Sequence, residues 1–230
     1  MGLAQQPAIP AVSLPIVYHL GPRPAGQQRG ERLVKYVIDI VERGLMAVLF
    51  VEFCSRIGFA RMTDPVNFGM VVIEVLGIFY IFTRKRGAVI TDPYAFTIAI
   101  LGTTFPLLVS PSDHVIAPNW FAVLFVLSGL CFSIAGLLSL NDSFGLVAAN
   151  RGVKRGGPYK YMRHPIYAGY MLTHIGFLSQ NFSNWNLMVY ALGWALLIMR
   201  ILAEEAFLGE DPKYRDYLGA VRYRLAPGVF

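Results

Sequence analysis

Charge is what this sequence has least of. Only 15% of its 230 residues are Asp, Glu, Lys or Arg, against 55% hydrophobic. A soluble domain carries closer to a quarter charged residues, so a chain wetted on all sides is excluded. Cysteine is nearly absent: Cys54 and Cys131 both sit in or beside apolar segments. They read as small core residues, not as a disulfide framework or metal site. No sequence period of the kind that marks repeats is visible, so one domain suffices. No basic start leads into a compact apolar core with a small-residue cleavage site, so a cleaved signal peptide is not expected. Acidic residues (14) are fewer than basic ones (20). That excess needs no nucleic acid, because cytoplasmic loops of membrane proteins are enriched in Lys and Arg.

What is present is apolar and helical in period, with a mean hydropathy of +0.51. Several runs approach or reach the ~20 residues that cross ~30 Å of hydrocarbon. The expected fold is all-α: a polytopic transmembrane protein of about six spans. The spans are Leu33–Arg56, Asn67–Phe82, Tyr94–Val109, Trp120–Leu140, Pro165–Leu178 and Trp185–Leu202. Residues 1–30, rich in Pro, Gly and Gln, read as a mobile or surface-lying arm. In the first span Lys35–Asp39, Asp39–Arg43 and Glu52–Arg56 are spaced to pair along a helical face. Glu74 interrupts the second span and should face protein or water. The third span carries Pro106 near its end. Gly129 and Gly136 mark a close-packing face on the fourth, and Gly169, Thr173 and Gly176 mark one on the fifth. The last two spans are short and form a hairpin over a polar linker.

Loop charge sets the orientation. Basic residues follow the second, fourth and sixth spans, while loops 110–119 and 179–186 contain none. Both termini and the 141–163 loop are therefore expected on the cytoplasmic side, with Arg56 and Arg61 fitting less well on the outer side.

The stretch Gly156 to Gly169 is polar, basic and aromatic, and runs directly into an apolar segment. Pro165 suits the first turn of a helix. A polar loop feeding a helix N-terminus suits an anionic or polar ligand; a basic cytoplasmic loop that merely orients a span explains the same residues. The sixth span ends in Arg200-Ile-Leu-Ala-Glu204-Glu205. Arg200 and Glu204 are spaced to pair, whereas Glu205 lies about 100° round the helix. Two carboxylates thus stand at the cytoplasmic end of a hairpin whose other leg begins at His164. Asp211-Pro212 then reads as an N-cap and N1 pair opening a short amphipathic C-terminal helix, with Tyr214, Tyr217, Leu218 and Val221 on one face. Arg222 and Arg224 follow, and a basic anchor to anionic membrane lipid accounts for them.

Three motifs in this order carry a resemblance. They are Gly-Pro-Tyr-Lys-Tyr-Met-Arg-His-Pro-Ile-Tyr-Ala-Gly at 157–169, Arg-Ile-Leu-Ala-Glu-Glu at 200–205, and Tyr214-x-x-Tyr217 with Val221-x-Tyr-Arg224. The pattern, over roughly residues 140–230, resembles the isoprenylcysteine carboxyl methyltransferase family; phospholipid N-methyltransferases share it. The resemblance implies a multi-pass membrane methyltransferase with its site facing the cytoplasm. It implies S-adenosylmethionine as cofactor, S-adenosylhomocysteine as product, and no Rossmann domain, and no Gly-x-Gly-x-x-Gly follows a strand pattern here. Residues 31–140 would be N-terminal transmembrane helices and 141–230 the methyltransferase core. Carried over by position, Tyr161, His164, Pro165, Tyr167, Gly169, Glu204 and Glu205 would form the cofactor set. Arg200 and Glu204 would act on the acceptor, a lipophilic molecule arriving from the bilayer. Carboxyl O-methylation is the leading expectation. Phospholipid N-methylation and S-methylation of a small lipophilic thiol are alternatives within the class, and a membrane transporter is the alternative outside it.

Overall fold

The computed structural model describes residues 25–83, 88–89, 93–140, 149–150, 153–228 and 230. Residues 1–24 of the expected 1–30 arm, the Arg84-Lys85-Arg86 cluster and most of the 141–152 loop lie outside them, while residues 25–30, expected as arm, instead form the start of α1. The side chains of Lys35 and Asp39, and so the pairs expected of them, are also outside. Seven α-helices are described: α1 Ala25–Ile57, α2 Pro65–Thr83, α3 Pro93–Thr104, α4 Asn119–Leu140, α5 Pro165–Gln180, α6 Asn184–Leu208 and α7 Pro212–Ala220. Their order and positions follow the apolar runs of the sequence. Two short antiparallel segments, β1 Ala88–Val89 and β2 Ala149–Asn150, pair with each other. The chain divides into a unit ending at Asp39 and a compact unit from Ile40 onward. The second unit holds the later part of α1 and every helix after it.

The six-span expectation is met only in part. Among the described residues, α4 and α6 are long and apolar enough to cross a membrane, with shorter apolar helices at Pro65–Gly77 and Thr97–Leu108. The expected third span breaks at Pro106, where α3 gives way to a 3-10 turn over Phe105–Leu108, because proline cannot donate to the helical ladder. α5, at 16 residues, rises about 24 Å, short of the hydrocarbon thickness.

The small-residue stripes of α4 and α5 fit each other. A Cβ placed on Gly129 would stand 2.5 Å from the Gly169 carbonyl, and one on Gly169 would stand 2.6 Å from the Gly129 carbonyl. Backbone therefore meets backbone, and dispersion contacts and buried polar side chains replace the hydrophobic drive that lipid removes. Ser133, fully buried, donates to the Ile166 carbonyl across this seam. α5 thus packs most extensively on α4, while α6 packs on α3. The hairpin legs α5 and α6 are neighbours through their linker, not through their closest faces.

At the opposite end from the 153–164 loop, the two loops that lack basic residues are tied together. Ile116 N–H donates to the Ser179 carbonyl and Phe182 N–H to that of His114, each at 2.9 Å. Asn186, fully buried, bonds both ways with Ser110. The two arginines that fit the charge pattern poorly are accounted for here. Arg56 donates to the carbonyls of Leu107 and Val109, not to Glu52 as its spacing permitted. Arg61 pairs with Asp113 at 3.0 Å. Neither charge is left to set orientation alone.

Valine at either seam glycine forces the two backbones apart, and overpacking of this kind costs about 1–3 kcal/mol or more. Gly129→Val and Gly169→Val should each lower the thermal unfolding midpoint in detergent by several degrees or abolish folding. Gly44→Ala, with nothing within 4 Å of the added carbon, should leave it unchanged or slightly higher. Thermal unfolding followed by circular dichroism checks both.

Candidate functional site

Three separate pieces of chain converge at the C-terminal end of α6. The first is residues 153–164. Gly157 adopts φ +57, a conformation open to glycine at little cost, and starts a 3-10 turn over Gly157–Lys160 that buries Tyr159. The second is the last turn of α6, where Glu204 and Glu205 stand. The third is α7 and the segment after it. Asp211 caps α7 by accepting from Lys213 N–H at 2.8 Å, with Pro212 at the first helical position, as the sequence predicts.

The first and third pieces are stitched backbone to backbone. Arg163 N–H donates to the Tyr223 carbonyl at 2.9 Å and His164 N–H to that of Arg224 at 2.8 Å. Arg163 Nη2 donates to the Arg222 carbonyl, and Tyr217 Oη to the Tyr159 carbonyl. Tyr159, Tyr214, Tyr217 and Val221 form a small apolar core of their own. Burial pushes all three phenols above their ordinary range, Tyr217 to about 12, so they are neutral donors at physiological pH.

Glu205, 8% exposed, is the centre of the junction. Arg163 Nη1 lies 2.9 Å and His164 Nε2 3.1 Å from its Oε1, and Arg224 Nε lies 2.9 Å from its Oε2. One carboxylate therefore binds all three pieces of chain. Arg163 Nε is buried with no hydrogen-bond partner among the described residues, an orphaned cationic donor beside the cluster.

Glu204 faces differently, as its angular offset requires. Its Oε2 accepts from Tyr167 Oη at 2.9 Å. The Tyr167 ring stacks on His164, with centroids 5.4 Å apart, and carries the Arg200 guanidinium 5.1 Å above its centre. Arg200, 7% exposed, also donates to Thr103 Oγ1 at 2.6 Å. Arg200, Tyr167 and Thr103 all line a cavity among the helices whose walls include Leu197, Gly193 and Pro106.

Of the residues predicted for the site, His164, Tyr167, Arg200, Glu204 and Glu205 are thus brought together. Pro165 is buried at the first position of α5, beside them but against Gly136 of α4. Gly169 lies in the α4–α5 seam. Tyr161 stands on the surface, 68% exposed. Reasoning from sequence misses Arg163 and Arg224 as partners of Glu205. It assigns Arg224 to lipid, although the place of that residue in the Val221-x-Tyr-Arg224 motif is a usable signal. Thr103 carries no sequence signal at all.

Among the described residues, buried acids and bases thus gather at one end of a helical core that contains two helices long and apolar enough to cross a membrane. Residues 121–210 match the family model of the isoprenylcysteine carboxyl methyltransferase (ICMT) family, which supports the family recognised from the motifs over that stretch. The match takes in α4, α5 and α6 and stops before α7. No curated protein matches the chain.

Removing one partner of a buried ion cluster typically costs about 3–5 kcal/mol. Glu205→Gln should therefore lower the unfolding midpoint and release the segment after α7. Faster tryptic cleavage after Arg222 and Arg224 is expected, whereas Glu210→Gln, on an exposed side chain, should leave the digestion pattern unchanged.

Proposed function

We propose that the protein is an S-adenosylmethionine-dependent methyltransferase of the membrane that esterifies the carboxylate of a lipophilic acceptor, in the manner of isoprenylcysteine carboxyl O-methylation. The observation that carries this reading is Arg200. A buried guanidinium on the wall of a largely apolar cavity, one turn from Glu204 and stacked on Tyr167, fits a carboxylate attached to an apolar tail.

The residues around the junction fit the cofactor chemically. Carboxylates suit ribose hydroxyls or an ammonium group, and Glu204 and Glu205 are both within the cluster. The orphaned Arg163 Nε suits an amino-acid carboxylate. Tyr167 and His164, stacked, offer a π face to a sulfonium cation. When bound, the cofactor supplies an electrophilic methyl group whose sulfur leaves as the neutral thioether of S-adenosylhomocysteine.

With the cofactor bound, the acceptor's carboxylate oxygen would take the methyl group and the C–S electron pair would return to sulfur. No proton moves, so the protein needs no general base for this acceptor. Its work is placement and exclusion of water. Arg200 holds the acceptor carboxylate. Thr103, accepting from Arg200 Nη1, and Tyr167, beneath the guanidinium, fix its direction. Glu204 orients Tyr167. The segment after α7, clamped by Glu205, closes the cytoplasmic side, so the polar cofactor would enter there and the lipophilic acceptor from between helices. An amine or thiol acceptor would have to lose a proton first, and Glu204 is the group placed to take it.

Titration calorimetry of S-adenosylmethionine and S-adenosylhomocysteine into detergent-purified protein tests the cofactor, and transfer of labelled methyl to farnesylated acids tests the acceptor. Saturable binding that weakens at least tenfold in Glu204→Ala is expected. Arg200→Lys, which loses the planar fork, should raise KM for the acceptor about tenfold while cofactor affinity stays within twofold. No cofactor binding in detergent or lipid nanodiscs would refute the proposal.

A further inference from the structure

Tyr161 takes no part in the junction that gathers its motif neighbours. It closes the turn that carries buried Tyr159 and exposed Lys160, and its own ring lies in the open. The basic residues around it divide into two sets. Arg163 and Arg224 are spent on Glu205, and Arg155 donates to the Lys213 carbonyl at 2.6 Å and lies over the Tyr217 ring. Lys160, Lys213, Arg215 and Arg222 are exposed and make no side-chain hydrogen bond or ion pair among the described residues. The exposed acids described between residues 153 and 228 are Glu210 and Asp216. Contacts to the backbone draw the four cations round one junction. Tyr217 Oη bonds the Tyr159 carbonyl beside Lys160, Arg163 Nη2 bonds the Arg222 carbonyl, and Lys213 and Arg215 flank buried Tyr214.

Helix rise fixes the depth of this collar. Exposed Trp120 and Trp185 stand at the second position of α4 and α6, as rings at headgroup level do. Leu140 and Glu205 each follow their Trp by twenty residues, roughly 30 Å and one hydrocarbon thickness away. The exposed apolar side chains keep to this measure: the last large one is Leu138 on α4 and Leu202 on α6. The collar begins just beyond, at the level of the second headgroup layer. We propose that Lys160, Lys213, Arg215 and Arg222, with Tyr161, form a docking collar for the headgroups of anionic lipid, which hold α7 and the segment after it against the junction. Cations at that level are drawn to an anionic surface, and the attraction fades within a Debye length. A tyrosine ring suits the same layer, apolar along its body and polar at its tip. Depth favours a bilayer over an acidic protein, which would have to displace headgroups to reach the collar. Arg222 is thus a lipid ligand, whereas Arg224, two residues on, serves Glu205. The collar uses neither cofactor nor acceptor and goes beyond the methyl-transfer reading.

Amide hydrogen exchange of the full-length protein tests this in two kinds of nanodisc. One is pure dioleoylphosphatidylcholine; the other holds about one third dioleoylphosphatidylglycerol. Exchange across residues 209–226, which reads local opening of α7 and the segment after it, should be at least about fivefold slower in the anionic discs. Raising NaCl to about 0.5 M should abolish the difference. So should the combined variant Lys160→Gln, Lys213→Gln, Arg215→Gln and Arg222→Gln, whose exchange across α4 should match that of the parent protein and so report an intact bundle. If that variant unfolds, the salt series on the parent protein decides alone. Equal exchange in the two discs overturns the proposal, as does protection that persists in the folded variant or at high salt. Equal protection by soluble glycerol phosphate in phosphatidylcholine discs would mark a site for free phosphate. Protection by poly-glutamate where phosphatidylglycerol gives none would mark a protein-docking face. Either of these also overturns the lipid collar.

Discussion

Glu205 organises the end of the molecule where α6 stops and α5 begins. Its two oxygens take Arg163 and His164 from the start of α5 and Arg224 from the segment after α7, so three pieces of chain depend on one carboxylate. Such a cluster is expensive to desolvate and strong only when every donor and acceptor is met. Here the backbone ladder from Arg163 to Tyr223 and from His164 to Arg224 holds the cations in register before the carboxylate is counted. The result is a highly polar corner at the edge of an apolar bundle, and the proposed function would bring a polar cofactor and a lipophilic acceptor together there.

The helix packing serves that corner. Because the glycines of α4 and α5 let the two backbones touch, α5 is fixed along its length and its N-terminal His164 cannot swing away from α6. Because α6 packs on α3 and not closely on α5, space remains between α5 and α6 for the cavity that Arg200, Tyr167 and Thr103 line. A hairpin zipped through its own small-residue face would have closed it. The alternation of a tight seam with a loose one is thus the feature that leaves room for the cavity.

Charge within the apolar layer follows the same logic. Arg56 turns its guanidinium to the backbone carbonyls of Leu107 and Val109, where the 3-10 turn ends, a structural use of a cation. Arg200 and Glu74 instead face the cavity.

Much of this was legible in the sequence, because helix positions in a membrane protein follow from apolar run length and from Pro and Gly punctuation. The described helices fall close to where those signals put them, except that α1 begins at Ala25, inside the expected arm, and α3 stops at Thr104, and Asp211-Pro212 opens α7 as its residue types dictate. The clustering of His164, Tyr167, Arg200, Glu204 and Glu205 was also within reach, through motif order and the offset of two adjacent acids round a helix. Pairing was not. Which small-residue face meets which, that Arg224 turns inward to Glu205 and not outward to lipid, and that Thr103 reaches Arg200 from nearly a hundred residues away all depend on how helices settle against one another. Local spacing determines the face a residue occupies; only the packed structure decides what that face meets, because contact partners far apart in the chain are chosen by shape and desolvation, neither of which is written at any single position.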